Sequence, residues 1–113
     1  MSQADPAMIG ALMFNAASCY EVFARLTPEQ AKEAADFASE QSQRYPLWQR
    51  DAEGRFPTFE VPHFGKRSSV YLMALLSAYL VWAQKRAGIE PVPATPLMRA
   101  ALDGYAVYKR SFG

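Results

Sequence analysis

The stretch Ser68–Gly88 (SSVYLMALLSAYLVWAQKRAG) constrains the fold more than any other part of the chain. No charge falls between Arg67 and Lys85, and the apolar residues from Val70 to Trp82 leave no polar stripe wide enough to face water. A helix apolar on nearly every side is either the centre of a core or a membrane span. The uncharged run, residues 68–84, sits at the short limit of the roughly 17–25 residues a span requires. It also contains Ser68, Ser69, Ser77 and Gln84. A central core helix over about 69–87 is therefore expected. Ser68 or Ser69 suits its N-cap, Lys85 and Arg86 suit the negative C-terminal end of the dipole, and Gly88 suits a left-handed stop.

The remaining segments supply helices for it to pack against. Asp5-Pro6 reads as a cap followed by proline at the first helical position. From there Met8, Ile9, Leu12, Met13, Ala16, Tyr20 and Phe23 recur on one face to about Leu26, widened by Phe14, Cys19 and Val22. Gly10 costs helix propensity there, which close packing against another helix would explain. Thr27-Pro28-Glu29-Gln30 is a capping box that opens a second helix to about Arg44. Its apolar side is thin (Ala31, Ala34, Phe37, Ala38, Tyr45), so it should lie at the periphery. Thr95-Pro96 repeats the Thr-Pro start and opens a last helix to about Lys109.

Between the second and third helices, prolines 46, 57 and 62 and glycines 54 and 65 forbid helix. Leu47–Arg50, Asp51–Gly54 and Arg55–Val61 read as strand, turn and strand, with Gly54 in the left-handed position. Pro57 confines the second arm to an edge, and Trp48, Phe56 and Phe59 should pack on the helices. The expected fold is mostly α: a compact four-helix domain of residues 1–113 with a short hairpin over about 47–61. A chain of 113 residues, 50% hydrophobic, holds a core sufficient for one such domain.

Charge is divided unevenly. Residues 1–43 carry six carboxylates against Arg25 and Lys32, a net −4, whereas residues 44–113 net +5. Glu29, Glu33, Asp36 and Glu40 follow at helical spacing as one acidic stripe, the expected surface for a protein partner that is itself basic. Phe64-Gly65-Lys66-Arg67-Ser68-Ser69 places two cations and two hydroxyls before a helix, a candidate anion-binding turn at Lys66, Arg67, Ser68 and Ser69. It lacks the leading glycine of a phosphate-binding loop, since position 60 is Glu60. Nucleic acid is the alternative partner, through Arg50, Arg55, Lys66, Arg67, Lys109 and Arg110 with Trp48, Phe56 and Tyr108. Against it stand a sequence pI near 7.9 and cations scattered in pairs.

Catalytic readings are weaker. His63, the single histidine, has Glu60 as its one close acid in sequence, too few ligands for a metal. Ser68 and Ser69 near His63 lack a nucleophile elbow, and Cys19 sits on an apolar face, where a free cysteine serves as a small hydrophobe. A small enzyme with a pocket near His63 is a second alternative. The primary expectation is a non-enzymatic binding protein acting by protein–protein contact: a stoichiometric inhibitor, anti-defence or immunity-type protein. It needs no cofactor and no metal. A lone cysteine and an N-terminus whose first cation is Arg25 fit a cytoplasmic protein without a signal peptide.

Overall fold

Three of the helices begin where a short side chain satisfies a free N–H group of the first turn. In the computed structural model, which describes residues 6–112, helix α1 spans Pro6–Phe23 and α2 spans Pro28–Arg44. Strands β1 (Thr58–Val61) and β2 (Gly65–Ser68) follow, then α3 (Ser69–Arg86) and α4 (Pro96–Phe112). Thr27 Oγ1 accepts from Gln30 N and Gln30 Oε1 accepts from Thr27 N, completing the capping box of α2. Ser68 caps α3 by accepting from Tyr71 N, and Thr95 Oγ1 accepts from Met98 N at the head of α4. Asp5, expected to cap α1, lies outside the described residues.

Helix α3 is the centre of the core. Leu72, Leu75, Ala78 and Val81 are completely enclosed, and α1, α2 and α4 all pack against α3. Helix α1 contributes Leu12, Ala16, Cys19, Tyr20, Val22 and Phe23. Phe14 does not join them: it is 61% exposed, because the face that α1 turns inward is centred on Ala16 and Cys19. Helix α2 lies on the periphery through Ala31, Ala34, Ala35 and Ala38, while Tyr45 caps its C-terminus and is exposed. No helix among the described residues is long and apolar enough to cross a membrane. The radius of gyration, 13.3 Å, matches the roughly 13 Å of a compact chain of this length.

Two expectations are corrected here. The hairpin lies between α2 and α3 but occupies 58–68, not 47–61: Thr58 pairs with Ser68, Phe59 with Arg67, Glu60 with Lys66 and Val61 with Gly65. The Asp51–Gly54 turn does form, with Gly54 at φ 80° and its N–H on Asp51 O. Asp51 Oδ1 also accepts from Glu53 N within the turn and from Arg55 N, so the side chain takes the first donor of the expected second strand. Leu47–Arg50 therefore has no strand to pair with, and Trp48 stays largely exposed while Phe56 and Phe59 reach the core.

The second correction concerns the glycines. A Cβ at Gly10 would meet nothing within 4 Å, so no neighbour requires glycine there. The close approach is at Gly104 in α4, where a Cβ would stand 2.5 Å from Met13 O and 2.9 Å from Ala16 Cβ of α1.

Candidate functional site

The acidic stripe lies on the outer face of α2, since the alanines of the opposite face hold the helix to the core. Glu33, Asp36 and Glu40 keep 64%, 64% and 57% of their side-chain area exposed. Three of the four carboxylates have local partners. Lys32 Nζ lies 2.7 Å from Asp36 Oδ2, and Arg44 Nη2 lies 3.2 Å from Glu40 Oε2. The contact to Asp36 holds the Lys32 ammonium above its ordinary pKa. His63 Nε2 donates to Glu33 Oε1 at 2.7 Å, linking the hairpin turn to α2. Counting Glu29, Lys32 and Arg44, the helix surface retains a net charge of −2.

His63 occupies a demanding backbone position. Phe64 N bonds to Val61 O, making Val61–Phe64 a turn with Pro62 second and His63 third, at φ 67°. That third position normally takes glycine or asparagine. The ring on this turn points to Glu33, and neither Ser68 nor Ser69 is its hydrogen-bond partner.

The Lys66–Ser69 turn is largely committed to the fold. Arg67 Nε donates to Phe64 O, and its guanidinium lies 4.4 Å from the Tyr71 ring centroid. Ser68 is used as the cap of α3. Ser69 is buried, with its N–H on Pro57 O and its hydroxyl oxygen without a hydrogen-bond partner. Lys66 alone of the four is exposed.

Cys19 is fully enclosed against Tyr71, and burial pushes its thiol up to about 12, outweighing the hydrogen bond with Tyr71 and the charge of Arg67. It is a packed thiol, not a thiolate nucleophile. Burial likewise raises the phenols of Tyr20 and Tyr71; Tyr20 donates to Ala101 O at 2.7 Å, and Tyr71 shares a hydrogen bond with Ser18 Oγ. Among the described residues no group of three His, Cys, Asp or Glu side chains is placed to hold a metal.

A cleft that the sequence reading did not assemble opens where α1, α3 and α4 meet. Its volume is about 280 Å³, and Tyr20, Trp82, Tyr105 and Tyr108 form its aromatic wall. Tyr105 stands edge-on to Tyr20 with centroids 5.2 Å apart, and Tyr108 lies 5.9 Å from Tyr20. Lys85, Arg86 and Lys109 supply all of its charge. Lys85 Nζ is 4.7 Å from the Tyr105 centroid, and the Arg86 guanidinium is 4.9 Å from that of Trp82. The signal was present as aromatic residues one turn before each cationic pair, Trp82 before Arg86 and Tyr105 before Lys109, but which helices meet is not written in either segment. A wider groove beside Phe14, about 460 Å³, is lined by Asp103 as well as Arg110 and so lacks a single sign of charge. Comparison with models of known protein families, with curated proteins and with solved structures finds no match to this chain.

Proposed function

We propose that the protein is a non-enzymatic binding protein that contacts another protein through the outer face of α2, in the manner of a stoichiometric inhibitor. The observation that supports this reading is the exposure of Glu33, Asp36 and Glu40 on a helix anchored from behind by alanines. Such a face is presented in a fixed shape, so binding orders little of it and the charge pattern arrives preformed. A partner with a basic surface is the complement, including a machine whose basic groove ordinarily holds nucleic acid, the kind of target an anti-defence or immunity-type role would give this face. Lys32, Arg44 and His63 dilute the stripe locally, which favours a partner whose cations reach several carboxylates at once. We place this activity in the cytoplasm, in keeping with a single, buried thiol.

The test is capture from host lysate by three forms of the chain: unaltered, Glu29→Lys/Asp36→Lys/Glu40→Lys, and Lys85→Glu/Lys109→Glu. Surface reversals on α2 should each cost less than about 0.5 kcal/mol of stability, so the acidic-face variant remains folded; the thermal midpoint of the basic-face variant is measured beside it. A protein retained by the unaltered chain and the basic-face variant, lost by the acidic-face variant and weakened by salt supports the reading. Undiminished capture by the acidic-face variant refutes it.

A further inference from the structure

On α2, and in the turn after α1, the cations meet carboxylates four residues away: Arg25 with Glu21, Lys32 with Asp36, Arg44 with Glu40. The cleft at the ends of α3 and α4 follows another rule. The residue four positions before Arg86 is Trp82, and four before Lys109 is Tyr105, so rings stand where Arg25 and Arg44 have carboxylates. Among the described residues, Lys85, Arg86 and Lys109 make no ion pair with a carboxylate, and no acid lines the cleft.

From this we infer that the cleft binds a nucleotide, with the base against the aromatic wall and the phosphate between Lys85, Arg86 and Lys109. The inference does not rest on the protein-contact reading, because no residue of α2 lines the cleft. Three features select this chemistry. The charge is of one sign, which calls for an anion. The open part of the wall is aromatic, the half-buried rings of Trp82, Tyr105 and Tyr108 with Tyr20 enclosed behind them. A ring face accepts any base without hydrogen-bond readout, the arrangement by which single strands are held. The volume, about 280 Å³, lies just below the roughly 300–1,000 Å³ of drug-sized pockets, which suits one nucleotide and not a duplex. Tyr20 adds rigidity, since its hydroxyl is fixed on Ala101 O and its ring cannot swing into the cleft.

The same cations also offset the negative C-terminal ends of α3 and α4, and that role alone would place them here without any ligand. The two roles differ in what they change: the dipole role moves the thermal midpoint, whereas the ligand role moves affinity and its salt dependence. The full chain is therefore titrated into a short fluorescein-labelled oligothymidylate and followed by anisotropy over a range of sodium chloride concentrations. The expected result is saturable binding whose logarithm falls with log salt at a slope of about −0.7, the value for the one phosphate the cleft holds. Lys85→Glu/Lys109→Glu should weaken binding by at least about tenfold and flatten the slope. Lys85→Gln/Lys109→Gln replaces it if the reversal lowers the thermal midpoint into the assay range. Thymidine monophosphate as competitor separates the sources: competition identifies a free nucleotide as the ligand, and its failure identifies a strand. Absence of binding to both probes at low salt would overturn the inference. So would binding that the charge variants leave unchanged, or inorganic polyphosphate competing as well as the oligonucleotide does.

Discussion

Replacing Gly104 by alanine adds one methyl group at the tightest contact between α1 and α4. The new Cβ would lie 2.5 Å from Met13 O, 2.9 Å from Ala16 Cβ and 3.2 Å from Ala17 N. Two of these three atoms belong to the α1 backbone, so no rotamer change relieves the overlap and the helices themselves must separate. Overpacking of this kind costs typically about 1–3 kcal/mol, and a backbone obstacle places it in the upper part of that range. Against it stands the gain in helix propensity of about 1 kcal/mol for alanine over glycine. The net expectation is a loss of about 1–2 kcal/mol. Gly10→Ala is the matched control: the same propensity gain with nothing within 4 Å of the new methyl, hence a gain of about 0.5–1 kcal/mol. The two alanine variants should therefore differ by about 1.5–3 kcal/mol, which for a domain of this size is a gap on the order of 10 °C in Tm. Urea and thermal unfolding followed by far-ultraviolet circular dichroism measure it, with unchanged urea m values confirming that only native stability moved. A Gly104→Ala protein as stable as Gly10→Ala would refute the helix contact on which the α1–α4 packing is built.

Two further outcomes follow from groups placed by the same packing. The Cys19 thiol, raised from 9.0 to about 12 in the folded protein, stays protonated while the unfolded chain ionises. Its contribution to stability is thus complete below pH 9 and declines above it, by up to about 1.4 kcal/mol per pH unit; the raised Tyr20 and Tyr71 phenols add to the decline at higher pH. Cys19→Ala should flatten the urea midpoint between pH 9 and 10 (roughly the window before the phenols contribute), and the native thiol should resist labelling until the chain unfolds. At His63, φ 67° strains any residue with a Cβ, so His63→Gly should be more stable than His63→Ala by about 1 kcal/mol in denaturant titrations. Both lose the exposed Glu33 contact, worth under about 1 kcal/mol; equal stabilities would show that the turn relaxes.

What the sequence determined by itself is the set of elements whose causes are local. The starts of α2, α3 and α4 rest on Thr27, Ser68 and Thr95, each bonding an N–H three residues ahead, and such contacts are complete within one turn of chain. The central place of α3 was legible because a helix apolar on nearly every side has little to give to water, although Leu80 on its outer side is 53% exposed. The periphery of α2 was legible from its alanines. The tertiary structure decided everything that depends on which residues meet across long separations. Tyr20 bonds to Ala101 across 81 positions, and Gly104 fits against Met13 and Ala16; helical period names a face but not the helix that covers it. The same limit explains Phe14, periodic yet exposed, and Gly10, a glycine without a neighbour. The hairpin moved because Asp51 satisfied its own turn, leaving Thr58–Val61 to pair with Gly65–Ser68. The aromatic and cationic cleft was hidden for the most general reason. Its rings and charges come from three helices, and only their packing brings Tyr20, Trp82 and Lys109 to one place.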